Sequence, residues 1–358
     1  MTDSLDFVSL FSGCGCLDLG LERSGWTCKY QCEWDRHAQA VLRYRFPGVP
    51  IAGDIRELCG TDLPRVQLWA FGSPCKEFAR CNVRNRDQGL EGQQSRLAKE
   101  VVRLIAERPE TGRPRVLLWE NVGSIFDSPF AKGLDEWFGE LAQLGYGDIQ
   151  AHLLRGVDVG VPQLRDRWFT IMTSSPKGLP DAIWEVESAS AFDLLTKYDG
   201  EWMPQEQRES LMQRLKNRYA QGKTEKVLGN YEPILNVTGD SPAMFTGNLS
   251  WNPQKVVCPT LDCSGATWVY LPGKGVRPLT PVERERLMGL PDDWTERGIY
   301  EPWPKHPDLN KRLGGEASVP QTERYRMTGN GVIVPAAELM GRIVKALLVR
   351  EDLYVPTP

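Results

Sequence analysis

Residues 6–24 have the sequence DFVSLFSGCGCLDLGLERS, and this stretch decides the fold. Asp6–Phe11 predicts a first β-strand, Ser12–Cys16 predicts a tight turn, and the following residues predict a helix with leucines on one face. A second strand, Lys29–Glu33, ends in an acid. A strand, a glycine-rich turn, a helix and an acid about 20 residues later are typical of a Rossmann-like nucleotide site, in which the acid hydrogen-bonds ribose hydroxyls.

Strands and helices continue to alternate along the chain. A third short strand should end near Asp54. Further strands are predicted at 68–71, 116–119, 152–154 and 168–172, and further helices at 97–105, 133–144 and 336–347. This alternation predicts an α/β fold, with a mostly parallel sheet covered by helices on both faces.

The composition and periodicity of the sequence change in the middle of the chain. Pro176–Pro259 is rich in proline, glycine, tryptophan, asparagine and charged residues, and its periodicity is weak. We therefore expect a larger domain formed by residues 1–175 and 318–358, and a smaller, irregular domain formed by residues 176–317.

The composition is that of a soluble globular protein. Of 358 residues, 41% are hydrophobic and 25% are charged, which are ordinary values for this class. No apolar run approaches the roughly 20 residues that span a bilayer, and residues 1–4 carry no basic side chain. We expect no membrane segment and no secretion signal, and hence a cytoplasmic protein.

The nine cysteines do not form a metal-binding pattern. Cys14–Cys16 and Cys28–Cys32 lack a second pair at zinc spacing, and the chain has only three histidines, so no metal is expected. An odd number of cysteines without a secretion signal is typical of free thiols in a reducing compartment.

The net charge of −4 argues weakly against a nucleic-acid partner, although the distribution of charge matters more than its sum. Residues 208–226 contain six basic and two acidic side chains. This run is either an element that contacts phosphate or a solvated helix face.

Two reactive side chains follow two of the predicted strands. Cys75 lies in Gly72-Ser73-Pro74-Cys75 directly after the first of these strands, and Glu120 comes directly after the second. A thiol and a carboxylate at neighbouring strand ends suit a covalent attack with a paired proton transfer, on an electron-poor ring that is protonated as it is attacked. The simpler alternatives are a buried, inert cysteine and a helix cap at Glu120-Asn121.

Taken in order, these segments resemble the cytosine-5 DNA methyltransferases over nearly the whole chain except about residues 176–257. The blocks that carry the resemblance are Phe11-Ser12-Gly13-Cys14-Gly15, Glu33-Trp34, Asp54-Ile55, Gly72-Ser73-Pro74-Cys75, Glu120-Asn121-Val122, Gln163-Leu164-Arg165-Asp166-Arg167, Arg277-Pro278-Leu279-Thr280 with Arg286-Leu287-Met288-Gly289, and Gly329-Asn330-Gly331-Val332. The resemblance implies a Rossmann-like methyltransferase sheet with a small target-recognition domain, S-adenosylmethionine as cofactor, and double-stranded DNA as substrate. We also expect a monomer that associates with the nucleoid when it is bound to DNA.

The resemblance also implies which residues hold the cofactor. Glu33 should take the ribose hydroxyls, Asp54 the adenine amino group, and Trp34 should stack on adenine unless it belongs to the core. The other expected contacts are Phe11, Ser12, Gly13, Cys14, Gly15, Ile55, Gly72, Asn330 and Val332. Cys16 replaces a glycine that is usual in the family, so the turn is expected to differ slightly.

The catalytic residues implied by the resemblance are Cys75, Glu120, Arg165 and Arg167. Cys75 would add to carbon 6 of cytosine, and Glu120, helped by a raised pKa, would present a proton at N3. Arg165 would either hold the base carbonyl or orient Glu120. Arg165 and Arg167 lie on one strand face, so one of them is expected to point to the site and the other to contact phosphate.

Two alternative functions are weighed against the same sequence blocks. An RNA methyltransferase on the same scaffold is disfavoured, because the Cys-Phe-Thr block of the RNA-directed branch is absent from the sequence. A silent DNA-binding homologue is disfavoured because the nucleophile, the acid and the cofactor turn are all present. Lys76 and Ala79 replace a glutamine and a serine that are common in the family, and both are expected to affect DNA contacts or loop closure.

Overall fold

The computed structural model describes residues 4–74, 97–126, 131–173, 243–246, 257–265, 267–271 and 274–352. Its strands are β1 (Asp6–Leu10), β2 (Thr27–Cys32), β3 (Ile51–Ala52), β4 (Leu68–Phe71), β5 (Val116–Val122), β6 (Asp148–Arg155), β7 (Gln163–Leu164), β8 (Asp166–Thr173), β9 (Ala243–Thr246), β10 (Cys258–Pro259), β11 (Thr267–Leu271), β12 (Gly275–Pro278), β13 (Arg297–Tyr300) and β14 (Gly315–Ser318). Its helices are α1 (Cys16–Arg23), α2 (Arg36–Arg45), α3 (Leu97–Ala106), α4 (Ala131–Gln143), α5 (Pro281–Leu287), α6 (Leu309–Leu313), α7 (Gln321–Asn330) and α8 (Val334–Asp352).

The central sheet has the strand order β3-β2-β1-β4-β5-β8-β6. The strands from β3 to β5 are parallel, and β8 is antiparallel to both of its neighbours. β4 and the first half of β5 are continuous apolar runs that are buried throughout, as expected for strands covered by helices on both faces. The predicted α/β fold with a mostly parallel sheet is confirmed.

β5 extends beyond its apolar run. The sequence predicts a strand that ends at Trp119, but the structure continues it to Val122. Glu120 pairs with Phe169 of β8, and Val122 pairs with Arg167. The polar residues Glu120 and Asn121 interrupt the hydrophobic pattern, whereas the ladder with β8 continues through backbone hydrogen bonds that the pattern does not reveal.

The carboxyl-terminal helix α8 packs on the first helix, α1. A Cβ atom built on Gly20 would lie 2.4 Å from that of Ala337, so the two backbones approach closely only because residue 20 is a glycine. The indole of Trp26 donates to the carbonyl of Gly341 at 2.9 Å. The last part of the chain thus covers the element that directly follows the glycine-rich turn.

The described residues between 257 and 317 lie against the sheet. β13 packs on α2, where a Cβ atom on Gly298 would lie 2.8 Å from that of Ala40. Leu279 and Leu287 belong to the same hydrophobic core as Phe7 of β1. In the part of the chain that the structure describes, no helix is both long and apolar enough to cross a membrane.

Candidate active site

The glycine-rich turn after β1 has an unusual backbone conformation. Phe11, Gly13 and Gly15 have φ angles of 59°, 57° and 84°, all in the left-handed region. A Cβ atom on Gly15 would lie 2.5 Å from the Phe46 ring, so a larger residue does not fit there. A Cβ atom on Gly13 would meet no other atom within 4 Å, so the turn faces open space at this position. Backbone strain of this kind is concentrated at sites that bind ligands.

Glu33, at the carboxyl end of β2, ties this turn to the next strand. Its carboxylate accepts a 2.7 Å hydrogen bond from the backbone N–H of Gly13 and another from that of Asp35. Burial raises the pKa of Glu33, while these two amides act in the opposite direction. A carboxylate has about four acceptor positions, so this one retains capacity for a ligand hydroxyl.

Trp34, Asp54 and Ile55 follow the carboxyl ends of β2 and β3. Trp34 is 70% exposed, so its ring is not part of the core. The Arg56 guanidinium lies 5.9 Å from the centre of that ring and also pairs with the Asp54 carboxylate, with Nε 3.0 Å from Oδ1. This pairing holds the pKa of Asp54 below its usual value. Ile55 is buried beneath them.

The last of the sequence blocks, residues 329–332, lies beside the same turn. A Cβ atom on Gly331 would lie 2.9 Å from the Cys16 sulfur. Asn330 is exposed, and its Oδ1 accepts from the Cys263 thiol at 2.9 Å. Val332 is buried in the core, so its side chain supports the site rather than lining it. Ser12 and Cys14 are likewise buried, which leaves backbone atoms as their means of contacting a ligand.

Glu120 lies against the loop that follows β4. A Cβ atom on Gly72 would lie 3.0 Å from the Glu120 carboxylate. The next residue, Ser73, accepts a 3.0 Å hydrogen bond from the Trp119 indole. These contacts bring together the ends of β4 and β5, as the sequence predicts. Cys75, Lys76 and Ala79 lie outside the described residues, as does the basic run 208–226.

Arg167 is the partner of Glu120. Its Nε lies 2.9 Å from the Glu120 carboxylate, and both side chains are mostly buried. Burial raises the pKa of Glu120, while the charges of Arg167 and Arg165 act in the opposite direction. Of the two arginines, Arg167 is therefore the one placed to orient the acid.

Arg165 is completely buried and has a different set of contacts. Its Nη2 donates to the carbonyls of Gly329 and Gly331, at 2.8 and 2.6 Å. Its Nε and Nη1 have no hydrogen-bond partner among the described residues. Burial, aided by the charge of Arg167, lowers the pKa of Arg165 to about 9. Arg165, which lies between β7 and β8, thus binds the last block and keeps two buried donors without a partner among the described residues.

Buried polar groups from two of the sequence blocks, Gln163 and Arg277, pair within the core. The Gln163 side chain donates to the Leu287 carbonyl at 2.7 Å. Arg277 and Glu283 form a fully buried, bidentate pair with two 2.7 Å hydrogen bonds. No group of three or more potential metal ligands occurs within the described ranges.

Asp18 is a buried acid beneath the turn that the sequence analysis missed. Its carboxylate accepts from Ser9 Oγ at 3.0 Å and from Gln31 Nε2 at 2.7 Å, and the Ser9 hydroxyl in turn contacts that of Ser12 at 2.9 Å. Burial raises the pKa of Asp18 to about 6. The sequence offered one signal, an acid within the apolar face of a short helix.

This shift predicts a pH-dependent stability that Asp18→Asn should remove. The folded-state pKa lies above the unfolded value, so the stabilisation from protonated Asp18 is complete below about pH 4 and is lost as pH rises through about 6. Relative to wild type, the variant should gain roughly 2–3 kcal/mol of unfolding free energy between pH 4 and pH 7.5. Urea unfolding of both proteins at several pH values measures this, and a constant difference between them would contradict the assignment.

Comparisons with known proteins identify the family of this chain. A family model described as C-5 cytosine-specific DNA methylase matches residues 5–346. The chain is 29% identical over 341 residues to the type II methyltransferase M2.BsuMI of Bacillus subtilis (strain 168), covering 93% of this chain and 74% of that protein. It is 26% identical over 302 residues to the type II methyltransferase M.HhaI of Haemophilus parahaemolyticus, covering 81% and 85%.

A solved structure has a similar fold. The methyltransferase EhMeth of Entamoeba histolytica superposes with a TM-score of 0.63 at 16% sequence identity, covering 97% of this chain and 99% of that one.

Proposed function

Because the chain belongs to the C-5 cytosine-specific DNA methylase family, we propose that it transfers a methyl group from S-adenosylmethionine to carbon 5 of cytosine in double-stranded DNA. The observation that carries this proposal is the buried Glu120 carboxylate, which is paired with Arg167 and lies against Gly72 of the loop that leads to Cys75. An acid held in this way can donate a proton to a ring nitrogen. It lies at the carboxyl ends of the strands, where α/β sheets bind their ligands.

The residues around the turn after β1 fit S-adenosylmethionine. The turn leaves open space at Gly13, Glu33 offers acceptors for ribose hydroxyls, and the exposed Trp34 ring offers a flat surface for adenine. Asp54 can accept from the adenine amino group if Arg56 shares the carboxylate. When bound, the cofactor supplies an electrophilic methyl group.

We assign the chemistry on cytosine to Cys75 and Glu120. Addition of the Cys75 thiolate at carbon 6 makes carbon 5 enamine-like, and a proton from Glu120 at N3 neutralises the charge that builds on the ring. After methylation, a base removes the proton on carbon 5, the bond between carbon 6 and the Cys75 sulfur breaks so that the thiolate leaves, and N3 returns its proton to Glu120, which restores the aromatic ring. Burial of Glu120 favours its protonated form, as this role requires.

We also assign roles to the two arginines. Arg167 orients Glu120 through their ion pair. Arg165 holds the last block beside the turn, and its two unpaired donors suit the carbonyl oxygen of the base. The target base lies inside a duplex, so it must leave the helix to reach these groups.

Transfer of tritium from labelled S-adenosylmethionine to duplex DNA of varied sequence tests the function, with RNA of the same sequence as control. Label in DNA at carbon 5 of cytosine is the expected result, and label confined to RNA would overturn the proposal.

DNA with 5-fluorocytosine at the methylated position should then form a complex that survives denaturing electrophoresis. Fluorine cannot leave as a cation, so elimination of Cys75 stalls, and the absence of this complex would contradict covalent catalysis.

Trp34→Ala should weaken binding of S-adenosylmethionine by about 1–3 kcal/mol, because it removes the stacking surface. Calorimetry on the DNA-free protein measures this effect. Leu309→Ala is the matched control, since Leu309 is also an exposed apolar side chain but lies on α6. Equal affinity of the Trp34 variant and wild type would show that the ring does not contact adenine.

We place recognition of the target sequence in about residues 176–275. This stretch contains the basic run with Arg214, Lys216 and Arg218, and none of the sequence blocks of the family falls within it. Neutralising all three should weaken DNA binding and reduce the salt slope by up to about 0.9 for each lost phosphate contact. Cofactor affinity should not change, and an unaltered salt slope would make the run a solvated face.

A further inference from the structure

We propose that two tryptophans in contact, Trp119 and Trp137, position the nucleophile, because they bind the chain on both sides of the segment that carries Cys75. This inference rests on the function proposed above. Each tryptophan acts through the chain that it anchors, one at the entry to residues 75–96 and one at the exit.

The two indole N–H groups reach opposite ends of this segment. Trp119 Nε1 donates to Ser73 Oγ at 3.0 Å, two residues before Cys75. Trp137 Nε1 donates to the Ala98 carbonyl at 3.1 Å, in the first turn of α3 directly after the segment. The two rings contact each other, with centroids 4.6 Å apart and planes inclined by 54°. One aromatic pair therefore fixes the points where the chain enters and leaves.

The surroundings of the pair are rigid. Both tryptophans are at most 1% exposed and belong to the core that joins β4, β5, α3 and α4. Phe138 lies against both rings, with centroids 6.1 and 5.2 Å away. In a densely packed core, a side chain cannot move without displacing its neighbours. The two hydrogen bonds thus connect the segment to a fixed frame.

The same frame holds the acid. Trp119 immediately precedes Glu120 on β5, and Glu120 lies against Gly72, the neighbour of Ser73. The entry to the Cys75 segment is therefore tied to β5 twice, once by the indole and once by packing against the acid. A thiol must approach carbon 6 while the acid approaches N3, and a misplacement of about 1 Å can reduce a rate by about 10²-fold.

Another buried tryptophan provides a matched control. Trp69 lies in β4, in the same core, and its indole nitrogen has no hydrogen-bond partner within the described residues. Replacing Trp69 with phenylalanine makes the same chemical change in the same sheet without removing an anchor. Trp119→Phe and Trp137→Phe each remove one N–H donor and keep an aromatic ring, whereas Ser73→Ala removes the acceptor of the first bond with a smaller loss of volume.

The test measures single-turnover methylation, formation of the covalent complex with 5-fluorocytosine DNA, the KM for DNA and calorimetric cofactor affinity. We expect Trp119→Phe and Ser73→Ala each to slow single-turnover methylation and formation of the covalent complex by roughly 10- to 100-fold. The KM for DNA and the cofactor affinity should stay within about twofold of wild type. Combining the two substitutions should add little, because both remove the same bond. Trp137→Phe should show the same pattern, and Trp69→Phe should remain within about twofold of wild type.

Three outcomes would overturn the inference while leaving the proposed function intact. The first is a wild-type rate in Ser73→Ala and Trp119→Phe. The second is an equal loss of rate in Trp69→Phe, which would show a general effect on packing. The third is a loss confined to KM or stability, with both single-turnover rates unchanged. If wild-type protein methylates no DNA, the proposed function fails, and this inference fails with it.

Discussion

Cys75→Ser is expected to abolish methyl transfer, with a loss of at least about 10³-fold, while S-adenosylmethionine binds nearly as tightly as to wild type. Removing a nucleophile costs an enzyme more than removing a positioning group, and a serine without an adjacent base is a poor nucleophile at neutral pH. Most of the cofactor contacts that we assign lie on the turn after β1 and at the ends of β2 and β3, and none of them is the Cys75 thiol.

Single-turnover methylation measures the loss of rate, and calorimetry on the same preparation measures the affinity for S-adenosylmethionine. Cys59→Ser is the control, because Cys59 is an exposed thiol on the loop after β3. It should leave the rate unchanged. Turnover by the Cys75 variant within about tenfold of wild type would remove Cys75 from the role of nucleophile.

Glu120→Gln is expected to reduce the rate by about 10²–10⁴-fold, the usual contribution of a positioned acid or base. The amide has nearly the same shape as the protonated acid but cannot pass a proton to N3. In wild type, burial raises the pKa of Glu120, so the rate should fall as pH rises through that pKa and the acid becomes ionised. The variant should lack this decline.

A rate profile from pH 5.5 to 9 on both proteins tests this expectation. Glu136→Gln, on α4, is a suitable control for the same chemical change. If the Glu120 variant keeps both the rate and the pH profile of wild type, Glu120 is a structural residue of β5. A lower rate with an unchanged profile would mean that the acid orients the base without transferring the proton.

Much of the fold could be predicted because its signals are local. The apolar runs of β4 and β5, the turn at Gly13 and Gly15, and the stripe on α8 are each visible within a few residues. The carboxyl end of β5 was missed, since Glu120–Val122 is held by a ladder to β8, more than 40 residues away. Local pattern carries no information about such a partner.

The residues of the candidate site also differ in whether local sequence or tertiary structure identifies them. Glu33 and Trp34 were predicted from their place after a strand. The exposed ring shows that Trp34 is not part of the core, and its stacking on adenine stays a prediction. The choice between Arg165 and Arg167 could not be made from their spacing, because residues two apart share a strand face. It depends on the distance to Glu120, which the tertiary structure alone sets.

The close contact between α1 and α8 has a consequence for the order of synthesis. When α1 leaves the ribosome, the helix that covers it lies roughly 310 residues further along the chain, which at about 5–20 residues per second means tens of seconds. During that interval Leu17 and Leu21, which the finished core buries, lack α8 as a partner. The turn that we assign to the cofactor is therefore completed last although it is translated first, and a nascent chain should depend on chaperones until α8 emerges.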